Sequence, residues 1–146
     1  MNAVKLAGIE PANVFGFFEE ICSIPHGSRN EKAISDYLVS FAVEHGIRYI
    51  QDELNNVIFF QEGTCGMEDH APVILQGHMD MVCEKDASCP IDMTVEGLDI
   101  THNGHSVYAN GTTLGGDDGI AVAYALAILD SDSIKHPALE TVFTVN

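Results

Sequence analysis

At 146 residues, 46% hydrophobic and 19% charged, the sequence has the length and composition of about one globular domain with a single core. Its formal net charge of −16, from 22 acidic against 6 basic side chains, excludes nucleic acid as a partner, because phosphates need Lys and Arg, and excludes docking on anionic membranes. The surplus of carboxylates suits contact with metal ions or cationic substrates, and a merely solvated acidic surface gives the same count.

The N-terminus lacks an apolar run long enough for a secretory signal, and the longest apolar run, Ile120 to Leu129, is half a membrane span. Cys22, Cys65, Cys83 and Cys89 form no C-x-x-C pair, so free thiols in a reducing, cytoplasmic compartment are expected. Cys83 reads as a small apolar filler, with a ligand role as the alternative.

In chain order, Pro11 to Ile24 predicts a first helix, with Phe15, Phe18 and Ile21 on one side, stopped by Pro25-His26-Gly27. His26 reads as a loop residue. Ser28-Arg-Asn-Glu31 has the form of a capping box, and the helix after it carries Ile34, Tyr37, Leu38, Phe41 and Ala42 at amphipathic spacing up to Gly46. Ile47 to Asp52 and Asn56 to Gln61 predict two strands joined by a polar turn, followed by a charged loop from Glu62 to His70.

The next strand, Pro72 to Gly77, organises the chain. Its apolar run, Val73-Ile-Leu75, reads as buried and empties through Gly77 into His78-Met-Asp80. Alternate residues of a strand share a side, so His78 and Asp80 leave its end together. Imidazole is the commonest side-chain metal ligand and usually has a partner that fixes its tautomer. A metal site with His78 as ligand and Asp80 close by fits the spacing; a capped strand end with an incidental His fits it too.

From Met81 to Gly111 the pattern is irregular, with two short alternating pieces, Leu98 to Thr101 and Ser106 to Ala109, predicting a hairpin. His102 and His105 flank its Asn103-Gly104 turn as His-x-x-His and read as exposed loop residues. Beyond Gly119 an almost wholly apolar helix runs from Ile120 to Leu129, with Asp117 and Asp118 at its N-terminus. One acid there is accounted for by capping and the helix dipole. Two adjacent acids repel, and a cation between them and a neighbouring strand end would relieve this. Asp130 to Pro137 reads as a loop and Leu139 to Val145 as a buried strand. One imidazole and up to three carboxylates on one sheet edge would suit zinc, manganese or cobalt, but a hydrolytic site needs a general base and further ligands.

Gln76-Gly-His-Met-Asp-Met-Val-Cys-Glu-Lys85, followed by Gly111-Thr-Thr-Leu-Gly-Gly-Asp-Asp-Gly-Ile120, resembles the aminoacyl-histidine dipeptidase (peptidase D) family of cytosolic di-zinc exopeptidases. The two N-terminal helices and the Asn56–Gln61 strand resemble that family's start. The resemblance implies an α/β fold, a mixed sheet flanked by helices, forming the N-terminal part of a di-zinc catalytic domain over residues 1–146. It implies His78 as a ligand of one zinc and Asp117 as the carboxylate bridging two. Asp80 enters the catalytic machinery by orienting His78 through a hydrogen bond. Asp118 is not a ligand in the family pattern and is expected as a helix cap; Gly116 stands where the family often has Ala.

In the family a Glu-Glu pair, general base then ligand, follows the strand that Leu139–Val145 resembles, so it would lie just past Asn146. The chain is therefore expected to be a fragment, lacking the lid domain and the rest of the catalytic domain. It is expected to be inactive alone and prone to association through unpartnered apolar surface. The implied parent hydrolyses dipeptides of the Xaa-His type, broadly, with two Zn2+ ions (or Mn2+ or Co2+ in their place) polarising the scissile carbonyl and supplying hydroxide, and a homodimer is compatible with it. The alternatives are a non-catalytic metal- or partner-binding module on the same scaffold, and a plain α/β domain whose His and Asp are structural.

Overall fold

The computed structural model describes residues 5–145. Helix α1 (Ala12–Cys22) buries Val14, Phe18, Ile21 and Cys22, the spacing of one helical face. Helix α2 (Lys32–Glu44) buries Ile34, Leu38, Phe41 and Ala42 in the same way, and the chain turns out of it at Gly46. The capping box expected at its start does not form. Glu31 is itself helical in φ and ψ, its Oε1 accepts the N–H of Arg29 at 2.6 Å, and the Ser28 hydroxyl donates elsewhere. A carboxylate 52 residues away outcompetes the local backbone for that hydroxyl.

Strands β1 (Arg48–Gln51) and β2 (Val57–Gln61) form the expected hairpin, its turn held by Asp52 Oδ1, which accepts the N–H groups of Leu54 and Asn56. Strand β3 (Val73–His78) is followed by a separate two-stranded hairpin, β4 (Ile100–His102) and β5 (Val107–Ala109), around the Asn103-Gly104 turn. His102 thus belongs to a strand rather than to the loop, while His105 lies exposed at the tip. Helix α3 (Gly116–Leu129) and strand β6 (Leu139–Thr144) complete the chain.

The main sheet runs β1-β2-β6-β3, with β6 antiparallel to β2 and parallel to β3, so it is mixed as expected. The last strand inserts between earlier ones because the β3–α3–β6 crossover returns the chain parallel to β3. Along β6, Leu139, Thr141 and Phe143 are buried and Glu140 faces water. Phe143 meets Phe59 edge-on at 5.1 Å, and Phe59 lies parallel to Phe41 of α2 at 6.1 Å, so sheet and helices share one core. Helix α3 packs between β3 and α1, burying Val122, Ala123, Leu126 and Leu129 and leaving Tyr124 half exposed.

Strand β3, expected to be buried, is instead an edge of the sheet, with Val73 43% and Ile74 65% exposed. An apolar run reads the same whether or not a second neighbour covers it. Cys83 is exposed, not a core filler, whereas Cys22 is buried and its thiol is pushed up to about 12 by burial and by the charge of Glu19. All four cysteines are free. Among the described residues, no helix is long and apolar enough to cross a membrane.

Candidate metal centre

The C-terminal end of β3 and the start of α3 meet at one point. His78 is the last residue of β3, paired with Thr144 of β6, and the N–H of Met79 donates to the Thr144 carbonyl at 2.8 Å. Alternation then does the positioning: Met79 and Met81 are buried to within 2% and anchor the exit, while His78 and Asp80 share the other side. At the far end of the crossover, Asp117 (φ −94°, ψ 105°) and Asp118 (φ −118°, ψ 24°) leave helical geometry, and the regular helix runs on from Gly119.

The His78 ring is held at both nitrogens. Nδ1 lies 3.0 Å from Asp80 Oδ1 and 3.1 Å from the Asp80 carbonyl oxygen, and Nε2 lies 3.1 Å from Asp117 Oδ1. Asp80 is 8% exposed, whereas the Asp117 side chain is almost fully open to solvent. Burial alone would lower the pKa of His78, but hydrogen bonds to Asp117 and Asp80 and the charges of Asp80 and Asp118 outweigh it, and the pKa is raised. Acceptors at both nitrogens favour the doubly protonated ring.

Asp118 is not the expected helix cap: α3 has no side-chain cap, and Asp118 Oδ2 accepts the backbone N–H of His78 at 3.3 Å. This contact requires α3 to approach β3 closely, which the missing Cβ of Gly77 permits; a Cβ there would lie 3.1 Å from Asp118 Oδ2 and 3.3 Å from Ala121 Cβ.

His78 therefore contacts both Asp80 and Asp117, the latter 39 residues on, through its two ring nitrogens, and His102, His105 and Cys83 make no contact with these three in the hydrogen-bond network. Sequence reasoning missed Ser28, whose Oγ donates to the second Asp80 oxygen at 2.5 Å. Only its membership of a Ser-x-x-Glu pattern drew attention to it, and that pattern pointed to the helix. The donor set, one imidazole and one exposed carboxylate with the imidazole's other nitrogen anchored, fits two positions of a divalent-ion site. Among the described residues no group of three or more His, Cys, Asp or Glu side chains converges as a complete site.

The mixed sheet and its flanking helices recur in solved structures of proteins named as peptidases. A tripeptidase from Staphylococcus aureus subsp. aureus Mu50 superposes with a TM-score of 0.72 at 22% identity, over 91% of this chain and 36% of that one. Aminopeptidase PepT from Bacillus cereus ATCC 10987 does so at 0.68 and 20%, again over 91% and 36%. At these identities the likeness is one of fold.

The particular relationship is nearer. Aminoacylhistidine dipeptidase from Vibrio alginolyticus superposes with a TM-score of 0.93 at 40% identity, and cytosol non-specific dipeptidase of Escherichia coli (strain K12) is 38% identical over 141 residues. Each match covers 97% of this chain and 29% of the relative, so the chain spans less than a third of those proteins. The resemblance to the aminoacyl-histidine dipeptidase family thus extends over nearly the whole chain, in sequence and in fold. No protein-family model matches the chain.

Proposed function

We propose that this chain forms part of the catalytic domain of a metal-dependent dipeptidase, with His78 and Asp117 as metal ligands and Asp80 as the residue that orients His78. The observation that carries the reading is the His78 ring, fixed at Nδ1 by the buried Asp80 and facing exposed Asp117 through Nε2. The likeness to two proteins named as dipeptidases supports peptide hydrolysis, and the substrate class proposed is dipeptides of the Xaa-His type, taken broadly. Zinc is the ion that best suits one imidazole and one carboxylate donor. The likeness to a cytosol dipeptidase of Escherichia coli supports a cytoplasmic location.

In this reading each residue has a separate task. Asp80 accepts the Nδ1 proton, which fixes the tautomer and leaves the Nε2 lone pair for the ion. Asp117, open to solvent, supplies a carboxylate that can be shared without desolvating a buried charge. Asp118 holds the strand end at the His78 N–H. A bound divalent ion supplies Lewis acidity for the scissile carbonyl and lowers the pKa of water. Among the described residues, two ligands without a positioned general base do not complete that apparatus, and we infer that the 146-residue chain alone does not turn over dipeptides. Zinc-dependent dipeptide hydrolysis by this chain would overturn that inference.

The test is zinc titration by calorimetry on the wild type, His78→Ala and Asp117→Ala. Binding weakened in both variants is expected. Wild-type affinity retained in both would remove the site from this pair and sink the reading.

A further inference from the structure

The Ser28 hydroxyl donates to Asp80 Oδ2 at 2.5 Å, with the Met81 carbonyl as a longer second acceptor at 3.4 Å. Since Asp80 Oδ1 receives the His78 ring, the two oxygens of this buried carboxylate are shared between Ser28 and His78. The segment carrying Ser28 is stitched to the exit of β3. Met81 N–H donates to the His26 carbonyl at 3.0 Å, and Ser28 N–H donates to the Met81 carbonyl at 3.0 Å, forming a bridge between Gly27 and Met81. The approach at Gly27 is close: a Cβ there would meet Cys83 Sγ at 2.6 Å, so that side chain would have to turn away. The loop that ends α1 is thereby locked against the exit of β3, with the Ser28 hydroxyl aimed at the buried carboxylate that holds His78 Nδ1.

We propose that Ser28 is a positioning residue of the metal centre. By holding Asp80 Oδ2 it fixes the rotation of the carboxylate and directs Oδ1 to His78 Nδ1, which keeps the imidazole in the Nδ1–H tautomer with Nε2 free for a metal ion. The path is Ser28 to Asp80 to His78, and Ser28 touches neither ion nor substrate. The proposal rests on the reading of His78 as a ligand only in its last step; the tautomer claim stands without a metal. Ser28 is itself exposed, so its removal leaves the core unchanged.

The experiment uses the 146-residue chain, labelled with 15N at histidine, as wild type, Ser28→Ala and Ser28→Thr, with His78→Ala to assign the His78 signals. Imidazole 15N shifts are recorded without metal at alkaline pH, where the ring is neutral, and zinc affinity is measured in parallel. The wild type should show the Nδ1–H tautomer. Ser28→Ala should shift His78 toward Nε2–H and weaken zinc binding by about tenfold or more, and Ser28→Thr should restore both. Wild-type tautomer and affinity in Ser28→Ala would overturn the proposal, as would a tautomer shift with unchanged affinity in a chain whose affinity does depend on His78. If zinc affinity does not depend on His78, the metal reading is what fails, and the tautomer comparison still decides whether Ser28 positions Asp80.

Discussion

Replacing Gly77 by Ala tests the contact on which the site is built. Alanine is ordinarily better than glycine inside a strand, because it restricts the unfolded chain, by about 0.4–1 kcal/mol. At Gly77 the added Cβ would lie 3.1 Å from Asp118 Oδ2, 3.3 Å from Ala121 Cβ and 3.6 Å from the backbone nitrogen of Val122. Unstrained carbon contacts sit near about 3.5–4.0 Å, so helix and strand must part by several tenths of an ångström, or Asp118 must turn away. The helix cannot retreat freely, because Val122 and Leu126 are fully buried one turn on. Turning Asp118 gives up its bond to the His78 N–H. Overpacking of this kind costs about 1–3 kcal/mol, and after the gain in the unfolded state a net loss of roughly 1–2 kcal/mol is expected. For a domain of this size that is a fall of roughly 3–8 °C in Tm. Urea and thermal unfolding of the wild type, Gly77→Ala and Gly16→Ala give the comparison. Gly16 lies inside α1, and a methyl group added there would meet nothing within 4 Å, so Gly16→Ala should stabilise by about 0.5–1 kcal/mol. A Gly77→Ala chain as stable as the wild type, at unchanged m, would refute the claim that α3 and β3 are in contact tight enough to set the site.

His45 is held at both nitrogens, Nδ1 by the Phe41 carbonyl and Nε2 by Asp130, each at 2.9 Å. Burial works to lower its pKa, but these bonds and the charges of Asp130 and Glu44 win, so its folded pKa lies above the ordinary value of 6.5. The stability it contributes should be fully present below about pH 6.5 and lost as pH rises through the higher folded value; unfolding of the wild type against His45→Gln from about pH 5.5 to about 8.5 should show the difference shrinking upward, and a difference independent of pH would contradict it. Phe143→Ala removes a fully buried ring that packs on Phe59 and should cost about 3–5 kcal/mol by denaturant unfolding. The edge strand β3 exposes Val73 and Ile74, so Ile74→Lys should reduce self-association in sedimentation experiments without loss of stability; unchanged association would place the sticky surface elsewhere.

Local patterns carried most of the secondary structure. The spacing of Phe18 and Ile21, of Ile34, Leu38 and Phe41, and the Asn103-Gly104 turn predicted α1, α2 and the β4–β5 hairpin, because helical periodicity and turn chemistry act between near neighbours. The period-two arrangement of His78 and Asp80 is likewise local, and it foretold that the two would share a side; the hydrogen bond between them was implied by the family resemblance. What lay beyond the sequence was decided over long separations. That β6 would enter between β2 and β3, leaving β3 at the edge, depends on which strand the returning crossover pairs with, and no stretch of residues encodes that alone. The same holds for Ser28 and Asp118. Each sits where a helix cap belongs by sequence, yet Ser28 serves Asp80 and Asp118 serves the His78 N–H. A hydroxyl or carboxylate bonds whichever partner the fold brings nearest, and here tertiary packing brings partners from 52 and 40 residues away.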